Sequence, residues 1–375
     1  MDVDIHPDNF KIARDPDSVN ILLPRHRSLY DFTAFQPLHH DFVNNRIMIL
    51  AGQNLFVGKL NMALRSYGGF VFLREDSCLT CENHPQAFLD KDFYFKNVLP
   101  LYLKQQVFCS SPEKHDLMIF LEYEKDTRTG KNNGGRSKTG ELRQINWAMI
   151  KLLYDLARAN NIKAYITPVN IGFSKIPDAP FTVHPPGPGS TTRALRYFFE
   201  QRFVYHKYPK YAGIHKQARV REVSRYGKPE LLSDMDFPSL RAFKRYAEDF
   251  RARMGGLETV FPIHLICKAM GQHEIIHLKT LDDKLFHFHE HFKKENVRFV
   301  DVEDSRGNVL PIEELAKKTV DHLNATPDPH AGGPGRGGRM FSLKKNYLQS
   351  HDLKLQIWYA NNILHFDKKA DDFYV

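Results

Sequence analysis

Short apolar runs alternate with longer stretches of helical periodicity through the first half of the chain. Residues 21–23 (ILL), 46–50 (RIMIL), 70–73 (FVFL) and 117–121 (LMIFL) are strand-like runs of the kind that buried strands show. Residues 54–66 (NLFVGKLNMALRS) space their apolar positions as a helix does, and Tyr67-Gly68-Gly69 stops them. Residues 145–159 (INWAMIKLLYDLARA) repeat apolar positions every three to four residues, which predicts an amphipathic helix, and a strand follows over 163–169 (KAYITPV). Parallel strands need crossovers, and these are usually helices. The alternation therefore predicts an α/β fold with a mixed, partly parallel central sheet flanked by helices.

A Pro/Gly-rich stretch at 184–190 (HPPGPGS) ends the alternation and reads as a surface loop. Beyond it, 237–253 and 311–323 look helical, with Pro311 suited to a first helical position because its missing N–H would be unpaired there. Residues 326–339 (TPDPHAGGPGRGGR) are low in complexity and read as a flexible link. The expected organisation is an α/β unit over 1–325, a linker over 326–340 and a small helical C-terminal part over 341–375. The chain shows no internal repeat.

Composition narrows the class. With 375 residues, 42% hydrophobic and 26% charged, the chain is neither mostly disordered nor collagen-like. No window approaches the roughly 18 uncharged apolar residues of a membrane-spanning helix. The N-terminus (MDVDIHPDNF) is acidic and lacks the basic-then-apolar pattern of a secretory leader. Four cysteines argue against a disulfide scaffold and fit a reducing compartment. A net charge of +9 suits anionic lipid surfaces, phosphorylated substrates or nucleic acid, and motifs must choose among them.

The first chemical candidate is the H-x4-D pair of His26 and Asp31 in PRHRSLYD. Acyl transfer to an alcohol needs a base for the hydroxyl proton, and a carboxylate on the far ring nitrogen fixes the histidine tautomer. Five residues on a straight helix turn about 140° beyond one revolution and would part the two side chains. The pair therefore works best with His26 on a loop after a strand and Asp31 in the first turns of the next helix. His277 and Asp282 share the spacing by chance. A second candidate is Arg74, ending the run GFVFLRE, where a guanidinium could bind phosphate. A third is Glu122 in FLE, followed by GGRSKTG at 134–140, whose glycine N–H groups with Arg136 and Lys138 could cradle an anion without Walker-loop spacing. The fourth, TPVNIGF with Pro168, shapes a turn at a strand end.

Taken in order, the four segments resemble the conserved blocks of the glycerol-3-phosphate and dihydroxyacetone-phosphate acyltransferases, roughly GHRSxxD, GAFFIRR, FxEGGRSRTGK and VPVNIGYxxIPE. Residues 221–232 (REVSRYGKPELL) resemble the strand and Gly-x-Pro turn that follow, and 358–366 (WYANNILHF) resemble a C-terminal YYRNNLLHLF segment. The resemblance covers about residues 20–235 and this last piece. It implies a glycerol-phosphate acyltransferase-like fold and transfer of a fatty acyl group from acyl-CoA or acyl carrier protein to the sn-1 hydroxyl of glycerol 3-phosphate. His26 would be the general base and Asp31 its partner. Arg74 would hold the acceptor phosphate. Glu122, Gly134, Gly135 and Arg136 would form the acceptor site, with Ser137 and Lys138 near it, and Pro168 would belong to the acyl-donor or acceptor wall. The resemblance implies no metal, cofactor or covalent enzyme intermediate, and peripheral attachment to the cytoplasmic side of a membrane. Dihydroxyacetone phosphate or a lysophospholipid is the alternative acceptor, and an inactive lipid-binding relative the alternative class.

Two departures stand out. Eleven residues, 123–133 (YEKDTRTGKNN), separate Glu122 from Gly134, and Glu75 stands where the family often has a second Arg. The insert carries its own TRTGK; the register at Gly134 is preferred because it matches more positions. Other signals weigh less. Cys78 and Cys81 form a lone C-x2-C, insufficient by itself for zinc. His287, His289 and His291 read as a solvated helix face, since i and i+2 positions point apart. The basic and aromatic stretch 193–221 suits a lipid interface better than nucleic acid, for which no binding module is present.

Overall fold

The computed structural model describes residues 2–8, 15, 17–28, 31, 46–52, 69–72, 80–81, 84–88, 93–111, 114–125, 132–134, 137–176, 179–184, 220–324 and 340–369. The central sheet takes β1 (Asp2–Ile5), β2 (Ser18–Pro24), β3 (Arg46–Gly52) and β4 (Gly69–Phe72) from the first part of the chain. A small hairpin of β5 (Thr80–Cys81) and β6 (His84–Phe88) and helix α1 (Leu99–Gln106) precede β7 (His115–Ile119). Next come β8 (Glu122–Lys125), β9 (Asn132–Gly134), β10 (Gln144–Ile145), α2 (Trp147–Ala159) and β11 (Lys163–Phe173). Short α3 (Ala179–Val183), β12 (Glu222–Tyr226), β13 (Glu230–Leu231) and α4 (Leu240–Gly256) follow. The remaining elements are β14 (Thr259–Val260), α5 (Pro262–Met270), β15 (Ile275–His277), α6 (Leu278–Lys294), β16 (Arg298–Phe299) and α7 (Ile312–Asn324). Hairpin β17 (Phe341–Lys344) and β18 (Tyr347–Ser350) leads into α8 (Leu353–Asn361).

The main sheet runs β1-β12-β11-β2-β7-β3-β4, with β13 also on β11. Strands β11, β2, β7, β3 and β4 pair in parallel, and β12 runs antiparallel to β11. The sheet is thus mixed and partly parallel, as the alternation of elements predicts. Its central strands bury both faces, which is why they read as unbroken apolar runs. Leu22, Ile47, Ile49, Met118, Val169 and Ile171 join one core, against α5 to α8. Their neighbours Ile21, Leu23, Met48, Leu50, Leu117 and Ile119 join the other, against α1, α2 and α4.

Local chemistry sets the helix bounds. Asn146 caps α2, its Oδ1 accepting from Ala148 N–H and Met149 N–H at 3.1 and 3.2 Å. The buried face of α2 is Met149, Ile150, Leu153, Tyr154 and Ala157, the expected helical spacing. Helix α4 starts at Leu240, three residues later than its periodicity suggests, because Ser239 caps it and Phe237 instead stacks on Phe243 at 4.1 Å. Strand β11 runs past 169 to Phe173, since β12 supplies pairing for Val169 through Phe173. Pro168 is tolerated inside it for a specific reason. Its carbonyl accepts from Gly227 N–H at 2.9 Å, so its nitrogen, which carries no hydrogen, faces the turn between β12 and β13, where the ladder is already interrupted.

The histidine triplet on α6 departs from a solvated face. His287 is exposed, but His289 is 1% exposed with Nε2 2.6 Å from Glu303 Oε1, and His291 Nε2 lies 3.2 Å from the Phe366 carbonyl. The face is wider and more buried than i, i+2 reasoning allows, because β16 and the C-terminal segment cover it. His277, of the second H-x4-D pair, caps α6 through Nδ1, accepting from Lys279 N–H at 3.1 Å. The helix expected over 54–66, the loop 185–190, Cys78, residues 193–219 of the basic stretch and residues 325–339 of the link lie outside the described residues. No helix of the described residues is long and apolar enough to cross a membrane.

Candidate active site

The site lies at the end of β2 where the chain leaves the sheet, the edge at which open α/β sheets bind ligands. Pro24 is in register with Val169, and Arg25 N–H still bonds the Val169 carbonyl at 3.1 Å. From there each backbone N–H finds a carboxylate. His26 N–H donates to Glu122 Oε2 at 2.7 Å, and Arg27 and Ser28 N–H donate to Asp31 Oδ2 at 2.8 and 2.9 Å. The same Asp31 oxygen meets His26 Nδ1 at 3.0 Å. Residues 25–28 have no regular secondary structure, and Asp31 is helical. The loop folds back so that Asp31 reaches a histidine five positions earlier, which a straight helix would forbid.

His26 is buried except for its side-chain edge, 10% exposed, and its ring packs on Phe120 at 4.3 Å between centroids. Asp31 is wholly buried. A carboxylate on Nδ1 places the ring proton there and makes Nε2 the basic nitrogen.

The two arginines flanking His26 turn away from it into the protein. Arg25 Nη1 donates to Glu258 Oε2 at 2.5 Å and Arg27 Nη1 to Glu258 Oε1 at 2.6 Å, so one carboxylate holds both. Arg25 also donates to the carbonyls of Asn362 and Gly140 at 3.0 and 2.7 Å. Arg27 Nη2 donates to Asn170 Oδ1 at 3.0 Å and to the Ile171 carbonyl, and Asn170 Nδ2 returns to Glu258 Oε2 at 2.9 Å. Burial would push the Glu258 carboxyl up, but the guanidinium groups of Arg27 and Arg25 outweigh it and hold it down at about 2. Burial also drives His264 down to about 3 and His365 down to about 4, so both are neutral beside the arginines.

The insert after Glu122 begins and ends in paired strands. Strand β8 pairs antiparallel with β9, putting Tyr123 opposite Gly134. The two ends of the insert therefore meet, and Gly134 lies beside the residue that follows Glu122; residues 126–131 lie outside the described residues. On its other edge β8 pairs β10. Glu122 is buried, its second oxygen accepting from Arg143 N–H at 3.3 Å. Its carboxylate thus fixes the His26 backbone from within. Ser137 is buried and its carbonyl accepts from Trp358 Nε1 at 3.2 Å; Lys138 is exposed. Pro168 is buried, in register with Leu23 on the strand leading to His26.

Of the sequence candidates, His26, Asp31 and Glu122 meet directly. Ser137 and Lys138 lie on the segment ending at Gly140, which touches Arg25. Gly134 stands at the end of β9, and Pro168 lies beneath the loop on β11. Arg74, Gly135 and Arg136 lie outside the described residues. Sequence reasoning missed the roles of Arg25, Arg27, Asn170, Asn362 and Glu258. The first four fall inside recognised blocks, where polar residues amid apolar runs were the available signal. Glu258 lies outside every block; a single acid abutting the apolar run that opens α5 is its only mark. Among the described residues no group of three or more His, Cys, Asp or Glu side chains could hold a metal ion.

Comparison with known proteins adds little detail. No family model matches the chain, and no curated protein does. Among solved structures, the 1-acyl-sn-glycerophosphate (LPA) acyltransferase PlsC from Thermotoga maritima is 15% identical, over 68% of this chain and 70% of that one, with a TM-score of 0.31.

Proposed function

We propose that the protein is an acyltransferase that moves a fatty acyl group from acyl-CoA or acyl carrier protein to the sn-1 hydroxyl of glycerol 3-phosphate. The observation that carries this reading is the His26 Nδ1 to Asp31 Oδ2 contact of 3.0 Å at the end of a buried parallel strand, with 10% of the histidine side chain exposed. His26 Nε2 takes the acceptor hydroxyl proton as that oxygen attacks the thioester carbonyl. Asp31 steadies the imidazolium, which then returns the proton to the departing thiolate. The acceptor oxygen attacks directly, so no acyl-enzyme is formed. Asp31 and Glu122 hold the loop before substrate arrives, which lowers the reorganisation that attack requires. Arg74 holds the acceptor phosphate, Gly134, Gly135 and Arg136 form the acceptor site with Glu122 behind it and Ser137 and Lys138 near it, Pro168 belongs to the acyl-donor or acceptor wall, and the enzyme works peripherally on the cytoplasmic side of a membrane.

The test is transfer of radiolabelled glycerol 3-phosphate into organic-extractable product with palmitoyl-CoA. Wild type incorporates label, and His26→Ala loses about 100- to 10,000-fold of the rate while keeping the wild-type circular dichroism spectrum. Undiminished transfer by His26→Ala removes the mechanism. Incorporation only with dihydroxyacetone phosphate or lysophosphatidate replaces the acceptor, and none with any acceptor or carrier leaves a lipid-binding relative.

A further inference from the structure

Buried charge is costly, and a carboxylate buried with two guanidinium groups often contributes no more to stability than apolar residues of the same size. Glu258 grips the residues immediately before and after His26, one oxygen to each arginine. Arg25, Arg27 and Glu258 are each at most 1% exposed, so none of them presents its charge to a ligand at the surface. Glu258 itself sits where the chain passes from α4, on one face of the sheet, to α5 on the other. Glu122 and Asp31 already hold the loop by its backbone; Glu258 holds it by its side chains.

We propose that Glu258 is a positioning residue for His26, acting through Arg25 and Arg27 to keep the imidazole in register with Asp31. The proposal rests on the reading of His26 as the base. A merely structural triad would behave differently in one respect. Replacing a whole buried ionic cluster with apolar residues of similar size commonly leaves stability intact or improved, whereas removing one member does not. The variant Arg25→Met/Arg27→Met/Glu258→Leu thus separates stability from positioning.

Two readouts are needed. The first is the proton on His26 Nδ1, observed by NMR in histidine-labelled protein and assigned by its absence from His26→Ala. The second is the kcat and KM of acyl transfer. In wild type the Nδ1 proton gives a slowly exchanging downfield signal. In the triple variant, at a temperature where its circular dichroism is that of wild type, this signal is lost. There kcat falls on the order of 100-fold, with KM for both substrates within about a factor of two. Glu258→Gln, nearly isosteric, is less stable but keeps an acceptor oxygen toward the arginines; studied at a temperature where its circular dichroism is that of wild type, it loses the same signal and serves if the triple variant does not fold. A folded variant that keeps both signal and kcat overturns the proposal. A wild type that shows the signal and its loss on substitution, but transfers no acyl group, upholds the positioning and overturns the assigned reaction instead.

Discussion

At the residue scale, single positions are constrained by what crosses them. Gly140 has φ +85°, and a Cβ there would lie 2.1 Å from the Trp358 carbonyl oxygen. Its carbonyl also accepts from Arg25. Gly140→Ala is expected to lose about 1–3 kcal/mol from backbone strain, and more from the clash, measurable by equilibrium denaturation. Arg25 would lose a partner at the same time, so the cost reaches the His26 loop. The H-x4-D spacing was legible as a loop-then-helix pair because helix geometry excludes the alternative. The partners of Arg25 and Arg27 were not, because a guanidinium names no particular carboxylate in a chain with 44 acidic residues.

At the element scale, the link between α4 and α5 gathers groups that titrate. His264 and His365 are neutral in the fold at pH values where a histidine in the unfolded chain, near pKa 6.5, gains a proton. Their folded values are depressed, so the unfolded state binds the extra proton and stability falls as pH drops below about 6.5. Each contributes up to about 1.4 kcal/mol per pH unit until its folded value is reached. Below about pH 4.5 Glu258 acts in the same direction, since its carboxylate is charged in the fold and protonates first in the unfolded chain. Denaturation between pH 7 and 4 is therefore expected to steepen toward acid, and His264→Gln with His365→Gln to flatten it. A pH-independent wild type would contradict the buried, neutral state of both rings. Here α4 was readable from periodicity while α5 was not, and the ends of α4 and β11 were not readable because caps and pairing partners such as Ser239 and β12 set them.

At the scale of the whole molecule, the C-terminal segment is part of the site. Trp358 is 1% exposed and bonds the Ser137 carbonyl, Asn362 bonds Arg25, His365 lies 3.0 Å from the Gly255 carbonyl, and Lys268 pairs with Asp367. Trp358→Ala should cost about 3–5 kcal/mol in denaturant unfolding, and acyl transfer should fall with it. The reverse outcome, a destabilised protein with undiminished turnover per folded molecule, would mean that the segment supports the core alone.

The sequence by itself determined the α/β class, the parallel strands of the central sheet, helices α2, α4 and α7, and the pairing of His26 with Asp31. Each of these follows from local rules: periodicity, caps, and the reach of a side chain over five residues. Only the tertiary structure decided that the ends of the 123–133 insert pair and bring Gly134 beside Tyr123, that Glu122 faces inward, and that Glu258 and Asn362 meet the arginines around His26. Those contacts join residues as many as 337 positions apart. Such pairs are chosen by the path of the folded chain across the sheet edge, and no local pattern records that path.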